Sequence, residues 1–142
     1  MIILDTDHVS VLAYPEDRRN KPLVAELACS DDQRIVTTVI SFEEQMRGWL
    51  AAIHRVRESE KQVSLYDRLI GVFNYFSDIE ILRFDAAAAT RFEELRRSGV
   101  RIGSMDLKIA CIALANGAML LSGNLRDYQR VPGLRVESWL DA

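Results

Sequence analysis

Short apolar runs alternate with longer helical patterns along nearly the whole chain, and this constrains the fold more than any other feature. Ile2–Leu4, the β-branched Arg34–Thr38, Ile79–Arg83, Ala118–Leu121 and a short Arg135–Ser138 read as strands. A helix is expected from Thr6, stopped near Tyr14-Pro15 because proline disfavours helix in the residue before it. Another is expected over Pro22 to Cys29, with the proline in its first turn. Phe42, Met46, Trp49, Leu50 and Ile53 line one helical face, and Leu65, Leu69, Val72, Phe73 and Phe76 repeat the pattern. The polar stretch His54–Gln62 between them is either a bend or an exposed turn of one long helix. Asp85 caps a helix carrying Ala88, Phe92 and Leu95, with Gly99 at its end. Ser104 opens a helix that is apolar nearly all round, as expected for one buried against a sheet, and Asn116-Gly117 closes it.

Strands alternating with helices imply an α/β fold: helices on both faces of a central parallel sheet of about five strands. The length suits one domain, residues 1–142. In such sheets ligands bind beyond the carboxyl ends of the strands, so those positions are where chemistry is sought.

Acidic residues gather there. Asp5 directly follows the first strand. Glu44 is expected in the first turn of the helix after the second strand, and Asp106 in the first turn of the buried helix. Asn124 and Asp127 follow the fourth strand. Each has an ordinary structural reading. Ser41 and Glu44 match a capping box; Asp106 suits a helix dipole; Asp127 suits a surface turn. Asp5 is harder to explain in that way, because an unpaired carboxylate ending a central strand is costly to bury. Two carboxylates about 4 Å apart repel by roughly 4 kcal/mol at an effective dielectric near 20. A cluster of them needs a proton, a basic partner or a metal ion. No Lys or Arg accompanies these positions consistently, and oxygen ligands without a His or Cys pattern favour Mg²⁺ or Mn²⁺ over zinc. His8 and His54 lack ligand spacing, and Asp7 and His8 read as first-turn helix residues. A carboxylate-held Mg²⁺ suits phosphate chemistry. The chain has no glycine-rich phosphate loop and no dinucleotide fingerprint.

Composition excludes little more. The chain is 49% hydrophobic and 27% charged with a formal charge of −3, so its global charge does not advertise nucleic-acid binding. Locally, His54, Arg55, Arg57, Lys61 and Arg68 cluster, as do Arg18, Arg19 and Lys21, and by themselves such clusters read as solvated helix faces before they read as a binding patch. Cys29 and Cys111 are expected to be free thiols, in keeping with a reducing compartment. The sequence predicts no signal peptide, and no run approaches the ~18 apolar residues of a membrane span. A cytoplasmic protein is the expectation.

These residues resemble the PIN-domain ribonucleases, specifically the VapC-type toxins of bacterial toxin–antitoxin pairs. ILDTDHVS resembles the family's opening strand, with Asp5 as first metal-binding acid and Thr6 as adjoining hydroxyl and helix cap. TTVISFEEQMRGW resembles its second motif, where Gly48 selects Glu44 over Glu43. IGSMDLKIACIAL resembles the third, with Asp106 as ligand, and SGNLRDYQRVPGLRVESW resembles the C-terminal signature. The chain departs from many PIN domains in carrying Asn124 where they have a fourth Asp, which weakens the case for a second metal site. Asn124 still offers a carbonyl ligand, and Asp127 is placed to compensate.

The resemblance implies a PIN-like three-layer α/β/α fold and catalysis by Asp5, Glu44 and Asp106. It implies Mg²⁺ or Mn²⁺ held by Asp5 and Asp106 with help from Glu44, and support from Thr6, Asn124 and Asp127. It further implies an RNA substrate, a VapB-like antitoxin, a homodimer, and a heterotetramer or larger assembly with antitoxin. Arg55, Arg57 and Lys61 are candidate contacts for RNA or antitoxin, RNA being favoured because phosphate contacts supply affinity. Two alternatives remain open at this point. DTDHV fits the opening of haloacid-dehalogenase-like phosphatases, with Asp5 as nucleophile and Asp7 as acid/base. A degenerate PIN-like module would bind antitoxin or RNA without cutting.

Overall fold

The computed structural model describes residues 1–140. Five strands form one sheet: β1 (Ile2–Leu4), β2 (Ile35–Thr38), β3 (Glu80–Leu82), β4 (Met119–Leu121) and β5 (Arg135–Glu137). Their order is β3-β2-β1-β4-β5, and every pairing is parallel. The α/β expectation and the parallel sheet hold, and each observed strand lies within the run expected of it. The helices are α1 (Thr6–Leu12), α2 (Asn20–Cys29), α3 (Val39–Arg55), α4 (Ser59–Ser77), α5 (Ala86–Arg97), α6 (Ser104–Ala115) and α7 (Leu125–Tyr128).

The period-two geometry of a strand sends alternate side chains to opposite faces. Ile3 and Leu120 accordingly join Phe92, Leu95, Ile109 and Ile112 of α5 and α6 in one apolar layer. Ile2, Leu4 and Leu121 join Val9, Leu23, Val72 and Phe76 of α1, α2 and α4 in the other. The central strand β1 is covered on both faces, which is why it reads as unbroken apolar residues. From β1 the chain builds outward to β2 and β3, then returns to place β4 on the other side of β1. That reversal opens a crevice at the carboxyl ends of β1 and β4.

Caps explain where several helices start. Asp85 accepts from Ala88 N at 2.9 Å, as expected. Gly99 takes a left-handed φ of 90° just past α5, which glycine adopts without steric cost. Four expectations are corrected. The cap of α1 is Asp5, whose carboxylate accepts from Thr6 N, so Thr6 is the first helical residue and not the cap. Thr38 caps α3 by accepting from Ser41 N at 3.1 Å. The helix therefore begins before Ser41, no Ser41–Glu44 capping box forms, and Glu44 lies past the first turn. Leu50 and Phe73, expected on the packed faces, are 40% and 65% exposed, because each falls about 100° round its helix from a better covered neighbour, Trp49 or Val72. The sequence reading also missed α7, a single turn after β4. Between α3 and α4 the chain bends rather than running through as one helix, and Gln62 Nε2 donates to the freed carbonyls of Ile53 and Val56.

Asp85→Ala should lower stability by about 1 kcal/mol through loss of the cap. Ile3→Ala, at a fully buried site of the central strand, should cost ~2–5 kcal/mol. Urea unfolding monitored by circular dichroism should give both as lower midpoints with unchanged slope.

Candidate metal centre

The crevice gathers the predicted acids. Asp5 leaves the end of β1 and is 6% exposed. Glu44 reaches in from the second turn of α3, and Asp106 from the first turn of α6. One carboxylate oxygen from each lies within 4.8 Å of the other two. Among the described residues this is the group of acids placed to share an ion.

Neutral donors surround the acids. Ser122 Oγ, one residue past β4, donates to Asp5 Oδ2 at 2.7 Å. The Leu4–Leu121 register sets Ser122 level with Asp5 across the central pair. Tyr128 OH donates to Asp106 Oδ1 at 3.3 Å. Asn124 Nδ2 donates to Asp106 Oδ2 at 2.9 Å and to Asp127 Oδ2 at 3.1 Å. The Asn124 amide nitrogen thus faces both acids, an arrangement favoured because a donor between two carboxylates relieves their repulsion. Thr6 Oγ1 donates to Ser41 Oγ at 3.3 Å, linking the starts of α1 and α3. Glu44 Oε1 is buried and has no hydrogen-bond partner. A buried acceptor in that condition is costly unless something occupies its lone pairs.

Electrostatics follow from this packing. Burial pushes the Asp5 carboxyl up to about 6 against the bonds from Ser122 and Thr6 N, with Asp7 and Asp106 adding repulsion. Burial and then the charges of Asp5 and Asp106 push Glu44 up to about 7, which the Thr6 hydroxyl opposes. Burial also raises Asp106 despite the Tyr128 and Asn124 bonds. The Tyr128 phenol is raised by burial and by the neighbouring carboxylates, so it stays a donor.

Ser122 and Tyr128 escaped the sequence reading. Tyr128 was visible only as the aromatic one residue after Asp127, and Ser122 only as the residue ending the fourth strand. Asp7 also has a larger part than a first-turn residue. Its Oδ2 accepts from Gly123 N at 2.7 Å and its Oδ1 lies 2.7 Å from His8 Nδ1. Burial works against its charge, yet the His8 and Gly123 bonds outweigh it and hold the carboxyl below its usual range. The basic cluster lies elsewhere. Arg55 ends α3, roughly 16 Å along the helix from Glu44 at 1.5 Å per residue, and Arg57 and Lys61 continue from there. Lys61 is paired with Glu58 at 2.8 Å.

Comparison with known proteins points one way. A family model described as PIN domain matches residues 2–134. The chain is 33% identical to the tRNA(fMet)-specific endonuclease VapC of Salmonella typhimurium over 85 residues, which span 57% of this chain and 64% of that protein. It is 27% identical to ribonuclease VapC1 of Haemophilus influenzae over 137 residues, 96% of each chain. The structure of DNA-bound VapBC from Salmonella typhimurium superposes with a TM-score of 0.72 at 26% identity, covering 97% of both chains. VapBC-1 from nontypeable Haemophilus influenzae shares the fold, with a TM-score of 0.74 at 22% identity over 99% of this chain and 100% of that one.

An acid whose pKa is raised by folding favours the native state below its unfolded pKa. That contribution is lost as pH rises through the folded value. Metal-free protein should therefore lose stability as pH climbs from ~4 through the 6–7 range set by Asp5 and Glu44. Glu44→Gln should raise the Tm of chelator-treated protein at pH 8 by about 5 °C and change it little at pH 4.5. Differential scanning calorimetry across that range checks both.

Proposed function

The chain belongs to the PIN-domain family, and on that premise we propose that it is a metal-dependent endoribonuclease of the VapC type. It hydrolyses RNA phosphodiester bonds and is neutralised by a VapB-like antitoxin. The observation that carries this reading is the meeting of Asp5, Glu44 and Asp106 within 4.8 Å around a buried, unpartnered Glu44 Oε1. Three oxygen donors from three elements fit a hard divalent ion, Mg²⁺ or Mn²⁺. Asp5 and Asp106 would hold it, with Glu44 completing the set. Bound there, such an ion supplies charge screening for the phosphate and acidifies water.

The chain's own groups do the rest. The Glu44 oxygen not spent on the ion would take a proton from water attacking phosphorus in line with the departing ribose oxygen. Ser122 and Thr6 N orient Asp5. Tyr128 and Asn124 orient Asp106, and Asp127 anchors Asn124 from the far side. None of these donors carries a positive charge, so the acids are positioned without being neutralised. An open crevice at a sheet edge suits single-stranded or looped RNA, whose backbone can be drawn in. The cytoplasm is where such a substrate is met. A phosphatase reading needs Asp7 as a free acid/base, whereas Asp7 is engaged by Gly123 N and His8.

Arg55, Arg57 and Lys61 are assigned to outlying phosphate contacts along the strand. Val63, Tyr66, Ile70 and Phe73 leave an exposed apolar stripe on α4. An assembly with antitoxin, a homodimer or the heterotetramer built on it, would cover a stripe of that kind.

Purified protein should cut RNA with Mg²⁺, stop on chelation and resume when Mg²⁺ is restored. Asp5→Asn, Glu44→Gln and Asp106→Asn should each lower the rate about 10²-fold or more, while Asp7→Asn stays within about 10-fold because the amide oxygen still accepts from Gly123 N. End-mapping of cleaved RNA after induced expression reads these outcomes. No Asp5-dependent cuts and no growth arrest would count against the assignment. Changing Arg55, Arg57 and Lys61 together to Ala should weaken RNA binding at physiological salt and lower the salt slope by about three.

A further inference from the structure

Beside the carboxylate crevice lies a second cavity of about 790 Å³, lined among others by Asp7, Arg18, Arg19, Glu26, Gly123 and Trp139. It shares a wall with the catalytic edge. Asp7 is two residues from Asp5, and Gly123 sits between Ser122 and Asn124, which hold Asp5 and Asp106.

The wall is built, not incidental. Trp139 N donates to Nε2 of His8 at 3.2 Å, and His8 is fully buried. Because Nε2 accepts, Nδ1 carries the imidazole proton and directs it to Asp7. Asp7 in turn accepts from Gly123 N. A single chain of hydrogen bonds thus ties Trp139 to the loop that orients the catalytic acids. A Cβ on Gly123 would lie 2.8 Å from Asp7 Oδ2, so any larger residue there would push that carboxylate aside. The indole is fixed as well, with Nε1 donating to Glu137 Oε2 at 2.8 Å.

The charges in the cavity are not equivalent. Arg19 is committed to Asp17 through two bonds, at 3.0 and 2.8 Å. Arg18 makes no ion pair among the described residues and is exposed. Two arginines face Glu26 and Asp7, so the formal charge of the cavity sums to nothing. A bare anion gains little from such a lining. A group that combines one phosphate with a flat, polar, stackable body matches it: one cation is free, and an aromatic ring is held still.

We propose that this cavity is the subsite for one unstacked nucleotide next to the scissile phosphate, with Arg18 on its phosphate and Trp139 against its base. The inference rests on the ribonuclease reading and adds to it where the flanking nucleotide is held. An unstacked base can meet the indole only in a single strand or loop, so the subsite selects such RNA over duplex.

The chain has two tryptophans, so Trp49→Phe leaves Trp139 as the only indole reporter. In that background, Asp5→Asn allows titration with an eight-nucleotide single-stranded RNA without cleavage. Emission from Trp139 should fall by about a third or more on saturation with single strand, as base stacking on an indole requires, and hardly at all with the matching duplex. Arg18→Ala should raise Kd about 10-fold and reduce the salt slope by about one. In the active protein, Trp139→Ala and Arg18→Ala should raise KM about 10-fold with kcat within about twofold, and Trp139→Phe should recover most of the loss. The exposed Arg18 site keeps the test sound if Trp139→Ala misfolds.

If unsubstituted protein cuts RNA while Trp139 emission stays flat and Arg18→Ala binds and cuts normally, the subsite is wrong and the ribonuclease reading stands. Failure of unsubstituted protein to cut any RNA overturns both. Quenching by poly-glutamate and not by RNA would give the cavity to an acidic protein partner and overturn the proposal.

Discussion

A carboxylate held almost out of water at the end of the central strand sets the terms for everything around it. Asp5 follows a strand covered on both faces, so it emerges into an environment that resists its charge. Two further acids then converge on it from α3 and α6. Nothing in the apolar layers requires this. A chain selected for stability alone would place apolar or singly charged groups at those positions. The raised pKa values of Asp5 and Glu44 express the opposition between folding and charge, and a bound cation is the simplest means of relieving it.

The surrounding groups make that relief available without supplying it themselves. Ser122, Asn124, Tyr128 and the Thr6 amide donate hydrogen bonds, which orient carboxylates and lower the cost of their charge. An arginine at any of these places would pair with the acids and remove their pull on a metal ion. Asn124 illustrates the distinction. A fourth aspartate there would add a like charge beside Asp106 and Asp127, whereas the amide nitrogen bonds to both. A neutral residue at this place is thus consistent with one complete cluster of acids.

Much of this was legible in the sequence, but unevenly. Strands and helices were read well because apolar periodicity is a local consequence of burial on one face or both. Asp5 and Asp106 could be singled out as candidates because strand ends and helix starts are local features that share an edge in any parallel α/β sheet, and the structure does bring them together. Glu44 was grouped with them by position and chosen over Glu43 by motif resemblance, while its capping-box spacing misled. Ser41 and Glu44 have capping-box spacing, but Thr38 one turn earlier offers the same hydroxyl acceptor and takes the role. That substitution of caps leaves the Glu44 carboxylate free for the crevice. The bond from Asp7 to Gly123 was invisible because it spans more than a hundred residues.

By itself, the sequence determined the α/β class, the two-sided burial of the first strand and the placing of acids at element ends, since each depends on spacing along the chain. Only the tertiary structure decided which neutral donors serve those acids, which oxygen is left without a partner, and how Trp139 is tied through His8 and Asp7 to the loop beside them. The physical reason is the order of the strands. Reversal at β1 puts β4 next to it, and only that adjacency brings Ser122 level with Asp5 and carries Asn124 and Tyr128 to Asp106. Hydrogen bonds form between groups about 3 Å apart, and no periodicity in the sequence records which distant residues come that close.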